Sequence, residues 1–391
     1  MLNKMKAQLN LPMVDLSNMM EMIGKSLDSI LPSGLDMLNG KQVLFANNNV
    51  IMKPIGGWDV TLTHNDAKIH RLESIDIPAC VIAVDSSCIL VGETIDGSIY
   101  SAKCSIALSC NGEPITHALI GPLLFYIQYC SDYGKSMEID GVKRMIRVRL
   151  ERLVQYELAR AMRGIILLVD GSLRHSIHEH LYTIHKVEDA CRTNDNMLIG
   201  LSKSTRLRYL EGMISLLSRE MYPCYMDVTD MVDGVCCDGK MLDRSNEHCI
   251  DCDGKEEGIM VAEEGEGEGV REGKDGCYSN TYGYNSCTDP GSKAKARVRS
   301  RTTTASSLLA KLAVNGLVLR ADVLDKPETS LGMLMANDAL HNGYPESLRI
   351  AHHTSVFTHT DMLCIRGFMK SRFNIREVDG DDVRRALLGK I

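Results

Sequence analysis

The sequence lacks a long apolar run. In 391 residues the longest nearly unbroken apolar stretch is Ala118 to Ile127, which Gly121 and Pro122 interrupt. A helix that spans a membrane needs about 20 apolar residues, so we expect no transmembrane span and no membrane partner. The N-terminus has no compact apolar segment followed by a small-residue cleavage site, so nothing in it indicates secretion. We therefore expect a cytoplasmic protein.

Aromatic residues are also scarce, at 5 % of the chain, against 44 % apolar and 24 % charged residues. This balance excludes disordered and fibrous proteins and is typical of a globular protein. The length allows two or three domains. Several of the fourteen cysteines lie in apolar runs, where a reduced thiol packs as a small hydrophobe, so we expect most thiols to stay reduced.

Negative charge is unevenly distributed along the chain. The formal net charge of −7 argues against a nucleic-acid partner, but residues 233–291 hold 15 acidic and 5 basic residues. The local balance of −10 leaves +3 for the rest of the chain. A basic strip follows, in which cationic and small residues alternate. It suits either phosphate neutralisation or the solvated end of a loop, and consists of Lys293, Lys295, Arg297, Arg299 and Arg301.

Residues 233–292 are predicted to be a flexible, disordered acidic insertion, because they hold 11 of the 32 glycines and show no hydrophobic period. Six cysteines lie in it, and the pairs Cys236-Cys237 and Cys249…Cys252 allow a structural Zn²⁺ site. Against zinc, the first two cysteines are adjacent and their surroundings are glycine-rich. Purified protein without zinc by elemental analysis would exclude this site.

Hydrophobic periodicity predicts an α/β fold with a mixed sheet flanked by helices. Runs that are apolar throughout, at 80–84 and 165–169, are typical of strands buried on both faces. The turn signal Asp96-Gly97 predicts an antiparallel pair of strands. Other strands are expected within 42–63 and at 88–92, 99–109, 197–201 and 317–319, and helices at about 15–31, 142–163, 204–217 and 381–389.

These elements predict four segments. Residues 1–75 form an N-terminal extension of helix and strands, and 76–232 form the first part of an α/β core. Residues 233–305 comprise the acidic insertion and the basic strip, and 306–391 complete the core.

Two aspartates follow the buried strands directly. Asp85 and Asp170 each come after a continuous apolar run, and ligand sites of open α/β sheets lie at strand ends. Paired carboxylates bind Mg²⁺ or Mn²⁺, and two such ions can promote displacement at a phosphodiester. Each aspartate alone is also an ordinary turn residue.

A third acid is predicted on the helix that precedes Asp170. Glu157 interrupts the apolar seam of this helix, and a carboxylate that faces a core is costly unless it is paired or bound to metal. Glu151 lies on a flanking face among arginines and is interpreted as a surface ion-pair partner. We therefore prefer Glu157.

Lys203 follows a third apolar strand. The residues around it lack the glycines of a nucleotide phosphate loop, which argues against an ATP site. A lysine at a strand end can instead offset the charge of a phosphodiester, or can be an ordinary surface lysine. Tyr344 and His352 stand eight residues apart near the C-terminus.

In this order, the motifs resemble those of the NurA nucleases over about residues 78–365. The resemblance implies an RNase H-like fold and a homodimer. It also implies a Mn²⁺-dependent 5′ to 3′ exonuclease on DNA that has endonuclease activity on single strands. Such a nuclease works beside a HerA-type hexameric ATPase in DNA end resection, typically in archaea. The motifs are Val84-Asp85-Ser86-Ser87, Glu157 in a helix, Val169-Asp170-Gly171-Ser172-Leu173, Leu201-Ser202-Lys203-Ser204 and Tyr344-Pro345 through Ala351-His352.

Carried over by position, Asp85, Glu157 and Asp170 become metal ligands, with His352 as a further ligand, and Lys203 contacts the phosphate. Tyr344 and His352 complete the site. The first motif departs from the family, since Ser86 replaces the usual glycine. The basic strip and three helix arginines, Arg144, Arg147 and Arg152, are candidate contacts to the DNA backbone.

Two other functions are weighed. The main alternative is a non-catalytic, dimeric subunit that guides DNA for a translocase; retention of the acids argues against it, and the altered first motif leaves it open. A phosphatase with Asp85 or Asp170 as nucleophile needs a second aspartate two residues on, where Ser87 and Ser172 stand.

Overall fold

The computed structural model describes residues 16–46, 68–129, 139–176, 178–203, 210–233, 242–243, 248–249 and 305–378. The chain forms two compact units, one of residues 1–233 with 303–391 and one of residues 234–302. In the second unit the described residues are two short antiparallel strands, β9 (Leu242–Asp243) and β10 (His248–Cys249). The predicted flexible insertion, the zinc site and the basic strip otherwise lie outside the described residues.

The larger unit is a mixed α/β fold. Its helices are α1 (Leu16–Ser26), α2 (Ile139–Ala161), α3 (Ile184–Thr193), α4 (Glu211–Arg219), α5 (Thr229–Asp233), α6 (Pro327–Asn337), α7 (Glu346–Ser355) and α8 (His359–Phe373). Its strands are β1 (Gln42–Phe45), β2 (Ile69–Arg71), β3 (Cys80–Thr94), β4 (Gly97–Cys110), β5 (Glu113–Gln128), β6 (Ile166–Asp170), β7 (Met197–Ser202), β8 (Cys224–Asp227), β11 (Ser306–Lys311), β12 (Val318–Val323), β13 (Leu340–His341), β14 (Tyr344–Pro345) and β15 (Arg376–Glu377).

Five strands give the sheet its characteristic order, β5-β4-β3-β6-β7. The first three strands in sequence form an antiparallel meander, and β6 and β7 run parallel to β3. Parallel neighbours need a crossover connection, and α2 and α3 supply the crossovers before β6 and β7. This order and direction are those of an RNase H-like fold, as the motif resemblance implies.

The sheet continues beyond β7 with antiparallel strands β12, β11, β8 and β2. On the other side of β6 lies β3, which is much longer than β6 and β1, the two strands that pair with the same edge of it. Its first half pairs with β6 through Val81–Val84, and its second half pairs with β1 at Gly92 and Glu93. Between these two pairings β6 has already ended, so it does not cover this part of the β3 edge.

Apolar side chains cover both faces of the sheet. In the first half of β3, even-numbered residues pack with α1, α2 and α3, and odd-numbered residues pack with α6 and α7. This alternation follows from the period of two along a strand, and it explains why 80–84 and 165–169 are apolar throughout.

The described elements confirm the predicted strands near 99–109, 165–169 and 197–201 and the helix near 142–163. The prediction that a strand stops at Asp85 is wrong, because β3 continues to Thr94. Full-length pairing with β4 outweighs the local turn preference of the Asp-Ser-Ser sequence. The predicted strands after residue 46, the start of the 204–217 helix and the C-terminal helix at 381–389 lie outside the described residues.

None of the helices in the described part of the chain is both long enough and apolar enough to cross a bilayer.

Asn196 joins the end of α2 to the start of β6. Its buried side chain accepts a hydrogen bond from Ile165 N and donates to Ala159 O and Met162 O, at 2.9 to 3.1 Å. We expect Asn196→Ala to lower the free energy of unfolding by about 3 kcal/mol, because buried backbone groups lose their partners. Urea unfolding followed by circular dichroism measures this change. The exposed Asn39→Ala is the control, and equal stabilities of the two variants would contradict the prediction.

Candidate functional site

The register between β3 and β6 brings the two aspartates together. Val84 pairs with Val169 in a parallel ladder, so the next residues, Asp85 and Asp170, stand level on adjacent strands. Asp85 lies within its strand and Asp170 ends β6. Asp170 therefore lies at a strand end, as the sequence predicts. Asp85 does not, but it stands next to the end of the neighbouring strand β6.

Alternation along the strands puts three predicted residues on one face. Asp85 and Asp170 have the same parity as the residues that pack toward α6 and α7. Lys203 follows β7 directly and continues its pattern, two residues beyond Leu201, which pairs with Asp170. Helix α7 covers this face and carries His352, and Tyr344 lies just before the helix in β14.

The side chains converge into one cluster. Among the described residues, Asp85, Asp170 and His352 can each offer a ligand atom within 4.8 Å of the others. The Nδ1 atom of His352 lies 2.7 Å from Oδ2 of Asp85, and Lys203 Nζ donates to Oδ2 of Asp170 at 3.0 Å. Lys203 and His352 are about half exposed, at 45 % and 54 %, so solvent and ligands can reach the cluster. We call these four residues the acidic cluster.

Asp85 is almost fully buried and is held from both sides of the sheet. Ser355 Oγ, on α7, donates to its Oδ2 at 3.3 Å. From α2, a guanidinium nitrogen of Arg147 lies 4.0 Å from Oδ1, and Arg147 Nε donates to the carbonyl of Ser86 at 3.0 Å. A buried carboxylate with such partners keeps its orientation.

Ser86, which replaces the glycine of the family motif, lies in regular strand pairing opposite Cys104. Its hydroxyl donates to Glu151 Oε1 at 2.5 Å. The substitution therefore changes no turn, and Asp85 keeps its place on the sheet.

Tyr344 lies beneath Lys203, whose Nζ is 5.0 Å from the centre of the ring. Its hydroxyl is buried and has no hydrogen-bond partner of ordinary geometry among the described residues. Burial raises the pKa of Tyr344 well above its usual range, and the charges of Asp170 and Asp85 raise it further. The phenol is therefore neutral at physiological pH and can donate a hydrogen bond.

The structure brings Glu151, and not Glu157, to the acidic cluster. Glu151 has a side chain only 13 % exposed, and it contacts Ser86 beside Asp85. Burial raises the pKa of Glu151 to about 6; Arg147 opposes the rise, and the charge of Asp85 adds to it. Glu151 is an ion-pair partner, as the sequence predicts, since its Oε1 lies 3.7 Å from a guanidinium nitrogen of Arg147, but its side chain is mostly buried rather than on the surface.

Glu157 lies six residues farther along α2, about 9 Å at 1.5 Å per residue, toward the start of β6. Its Oε2 is 3.1 Å from Arg160, and that ion pair offsets the burial of its charge. We expected a core-facing carboxylate to need a partner, and for Glu157 that partner is Arg160.

One predicted DNA-contact residue is not available to a ligand. Arg152 is buried, where its Nε donates to Glu179 at 2.8 Å and its Nη1 donates to Gln155 at 2.6 Å. Arg144 and Arg147 are exposed on the same helix, so they remain candidates for phosphate contacts.

The donor set of the acidic cluster fits a divalent cation. Two carboxylates this close repel each other, and a cation between them relieves that repulsion. Carboxylate oxygens suit Mg²⁺ and Mn²⁺, and imidazole is a ligand of transition metals. The sequence had indicated each member of the cluster. It had offered Glu151 as the less preferred third acid, and it had not indicated Ser355 or the contact of Arg147 with Asp85. The local signal for these two is their position on helices that face the sheet.

Comparisons with known proteins find similarity among solved structures. The NurA nuclease from Sulfolobus solfataricus is 12 % identical, with a TM-score of 0.42, over 96 % of this chain and 98 % of that one. A NurA structure with manganese is 11 % identical, with a TM-score of 0.41, over 78 % and 90 %. The catalytic domain of human endonuclease V is 11 % identical, with a TM-score of 0.33, over 76 % and 85 %. No protein-family model and no curated protein sequence matches the chain.

Among the described residues, the hydroxyl of Tyr344 has no hydrogen-bond partner of ordinary geometry, and this gives a stability prediction. Removing a buried polar group that has no partner costs nothing in hydrogen bonding, so Tyr344→Phe should leave the free energy of unfolding unchanged or raise it by up to about 1 kcal/mol. Urea unfolding measures the difference. Tyr225→Phe is the matched control, because the Tyr225 hydroxyl donates to Glu328, and this variant should be destabilised. A destabilised Tyr344→Phe would show that the hydroxyl does have a partner.

Proposed function

We propose that the protein is a metal-dependent nuclease that hydrolyses phosphodiester bonds of DNA. The observation that carries the proposal is the acidic cluster itself. Two carboxylates and an imidazole converge on one face of the sheet, with a half-exposed lysine beside them. If these carboxylates served only the stability of the fold, they would not need an imidazole and an ammonium that are both half exposed to solvent.

Asp85, Asp170 and His352 would hold the metal, and Glu151, which shares Arg147 with Asp85, would be the third acid. The mixed oxygen and imidazole set favours Mn²⁺ over Mg²⁺, since imidazole suits transition metals. The chemistry that such ions supply when bound is the activation of water and the stabilisation of charge on the leaving oxygen.

The chain's own residues would bind and orient the substrate. The ammonium of Lys203 faces solvent beside Asp170 and would stabilise negative charge on the scissile phosphate. Tyr344, neutral because its pKa is raised, would support the ammonium of Lys203 with its ring rather than act as a nucleophile. Arg144 and Arg147, exposed on α2, would contact flanking phosphates without reading bases.

The finer activity follows from the motif resemblance. We propose 5′ to 3′ exonuclease activity, single-strand endonuclease activity, a homodimer that binds single- and double-stranded DNA, and work with a HerA-type ATPase in end resection. Light scattering tests the dimer against the monomer mass of 43.3 kDa. Stimulation of cleavage by the cognate ATPase tests the partnership, and a rate that the ATPase does not change would argue against it.

The alternative is a non-catalytic subunit that guides DNA for a translocase. It would retain DNA binding and the dimer without hydrolysis. The ordered acidic cluster disfavours it, because a guiding subunit has no need of paired carboxylates close to bound phosphates, which they repel.

The first experiment measures nucleotide release from 5′-labelled single-stranded DNA with Mn²⁺ and with EDTA. We expect release with Mn²⁺, none with EDTA, and a loss of at least about 100-fold in Asp170→Ala, because one of the converging carboxylates is removed. Asp189→Ala is the matched control, since Asp189 is exposed on α3 and is not a member of the acidic cluster. Absence of release with wild-type protein, even with the cognate ATPase, would favour the guiding subunit.

A second pair of variants identifies the third acid. Glu151→Gln should lower the Mn²⁺-dependent rate by about 10- to 100-fold, because Glu151 supports Asp85 through Ser86. Glu157→Gln should change the rate by no more than about twofold, since its partner is Arg160. The same cleavage assay on both variants tests this assignment. A larger loss of rate in Glu157→Gln than in Glu151→Gln would make Glu157 the third acid.

A further inference from the structure

A buried ion pair lies on the opposite face of the sheet from the acidic cluster. Asp322, on β12, is only 2 % exposed. Its carboxylate accepts from Arg320 Nε at 3.0 Å through Oδ1 and from Arg320 Nη2 at 3.0 Å through Oδ2. Such a bidentate arginine pair is rigid as well as charged. The proposed chemistry does not involve this ion pair.

The same carboxylate reaches the turn that follows Asp170. Asp322 Oδ2 accepts from Ser172 Oγ at 2.8 Å and from the backbone N–H of Leu173 at 3.0 Å. Arg320 adds a bond from Nη2 to Ser172 Oγ at 3.2 Å. The two residues immediately after Gly171 are therefore tied to a strand two positions away in the sheet.

Gly200 makes this connection sterically feasible. It lies on β7 between the two partners, pairing with Val169 on one side and with Asp322 on the other. A Cβ atom at Gly200 would lie 2.6 Å from the carbonyl oxygen of Gly171 and 3.0 Å from the Leu173 side chain. The turn thus folds across β7 because position 200 has no side chain, and it meets Asp322 beyond.

The turn is held at its first residue too. Gly171 has a φ of +131°, a conformation that favours glycine, and its N–H donates to Leu201 O at 2.8 Å. Asp170 is the residue just before. Its backbone is fixed by β7 on one side and by the anchored turn on the other, so its carboxylate has little freedom to move away from Asp85.

We propose that Asp322, held by Arg320, is a positioning residue for Asp170. It acts through the Gly171–Leu173 turn and touches neither metal nor substrate. The proposal rests on the proposed function, since it assigns Asp322 a part in the same site. Misplacement of a catalytic group by about 1 Å can cost about 100-fold in rate, so this anchor sets the activity from the far side of the sheet.

The test compares Mn²⁺ binding and DNA cleavage in the full-length chain. Asp322→Asn replaces one acceptor oxygen by a donor and leaves Arg320 without its charge partner. We expect a roughly tenfold weaker Mn²⁺ affinity, measured by electron paramagnetic resonance of free Mn²⁺ without DNA. The maximal cleavage rate should fall by about 10- to 100-fold, with little change in KM for DNA.

Two serines that bind the same carboxylate separate positioning from general stability. Ser172→Ala removes a contact within the turn and should shift Mn²⁺ affinity in the same direction as Asp322→Asn. Ser307 Oγ donates to Oδ1 of Asp322 at 2.9 Å but lies outside the turn, so Ser307→Ala should change the affinity by no more than about twofold. If Asp322→Asn does not fold, the two serine variants decide.

The outcomes distinguish this inference from the proposed function. If wild-type protein binds no Mn²⁺, or if Asp170→Ala binds it as well as wild type, the proposed function fails and the positioning role fails with it. If Asp170→Ala loses Mn²⁺ while folded Asp322→Asn and Ser172→Ala match wild type in affinity and rate, only the positioning role is overturned. Equal effects of Ser172→Ala and Ser307→Ala would also overturn it.

Discussion

The parallel register between β3 and β6 is the constraint on which the site depends. Because Val84 pairs with Val169, Asp85 and Asp170 stand level and point to the same face. A slip of one residue would turn one carboxylate to the opposite face and would place apolar strand residues in the wrong layer. The two cores on either side of the sheet therefore hold the register, and the burial of Ile82, Ala83, Leu167 and Leu168 also positions the acids.

The unequal lengths of the central strands explain why the site is open at this point. Strand β6 ends at Asp170, whereas β3 continues for nine residues beyond Asp85. Among the described residues, no strand pairs with this edge of β3 between Val84 and Gly92. Helix α2 approaches here with Arg147 and Glu151 from one face, and α7 brings His352 and Ser355 from the other. Asp85 is thus surrounded by groups from both layers, and Asp170 keeps the more exposed position beside Lys203.

Several buried charges outside the acidic cluster are paired with an opposite charge. Arg152 with Glu179 and Lys103 with Asp361 each join segments that are distant in sequence. Arg320 pairs with Asp322 on the same strand, and Asp322 in turn binds the turn after Asp170. Such pairs contribute little net stability, because desolvation offsets their attraction, but breaking one leaves an uncompensated charge. Their value here is positional. The pair on β12 shows this best, since it anchors the turn after Asp170 across a strand where only glycine leaves room.

The sequence by itself determined the buried strands, the order of the motifs and most of the acidic cluster, because strand periodicity and the residues just after an apolar run are local properties. Tertiary structure decided the rest. Pairing with β4 carried β3 through Asp85, where the local sequence favours a turn. Glu151 and Glu157 are both buried, and the docking of α2 on the sheet, which no local pattern encodes, selects Glu151 as the neighbour of Asp85. Asp322 gave no signal at all, since its partners lie about 150 residues away and meet it only when β7 and β12 are adjacent.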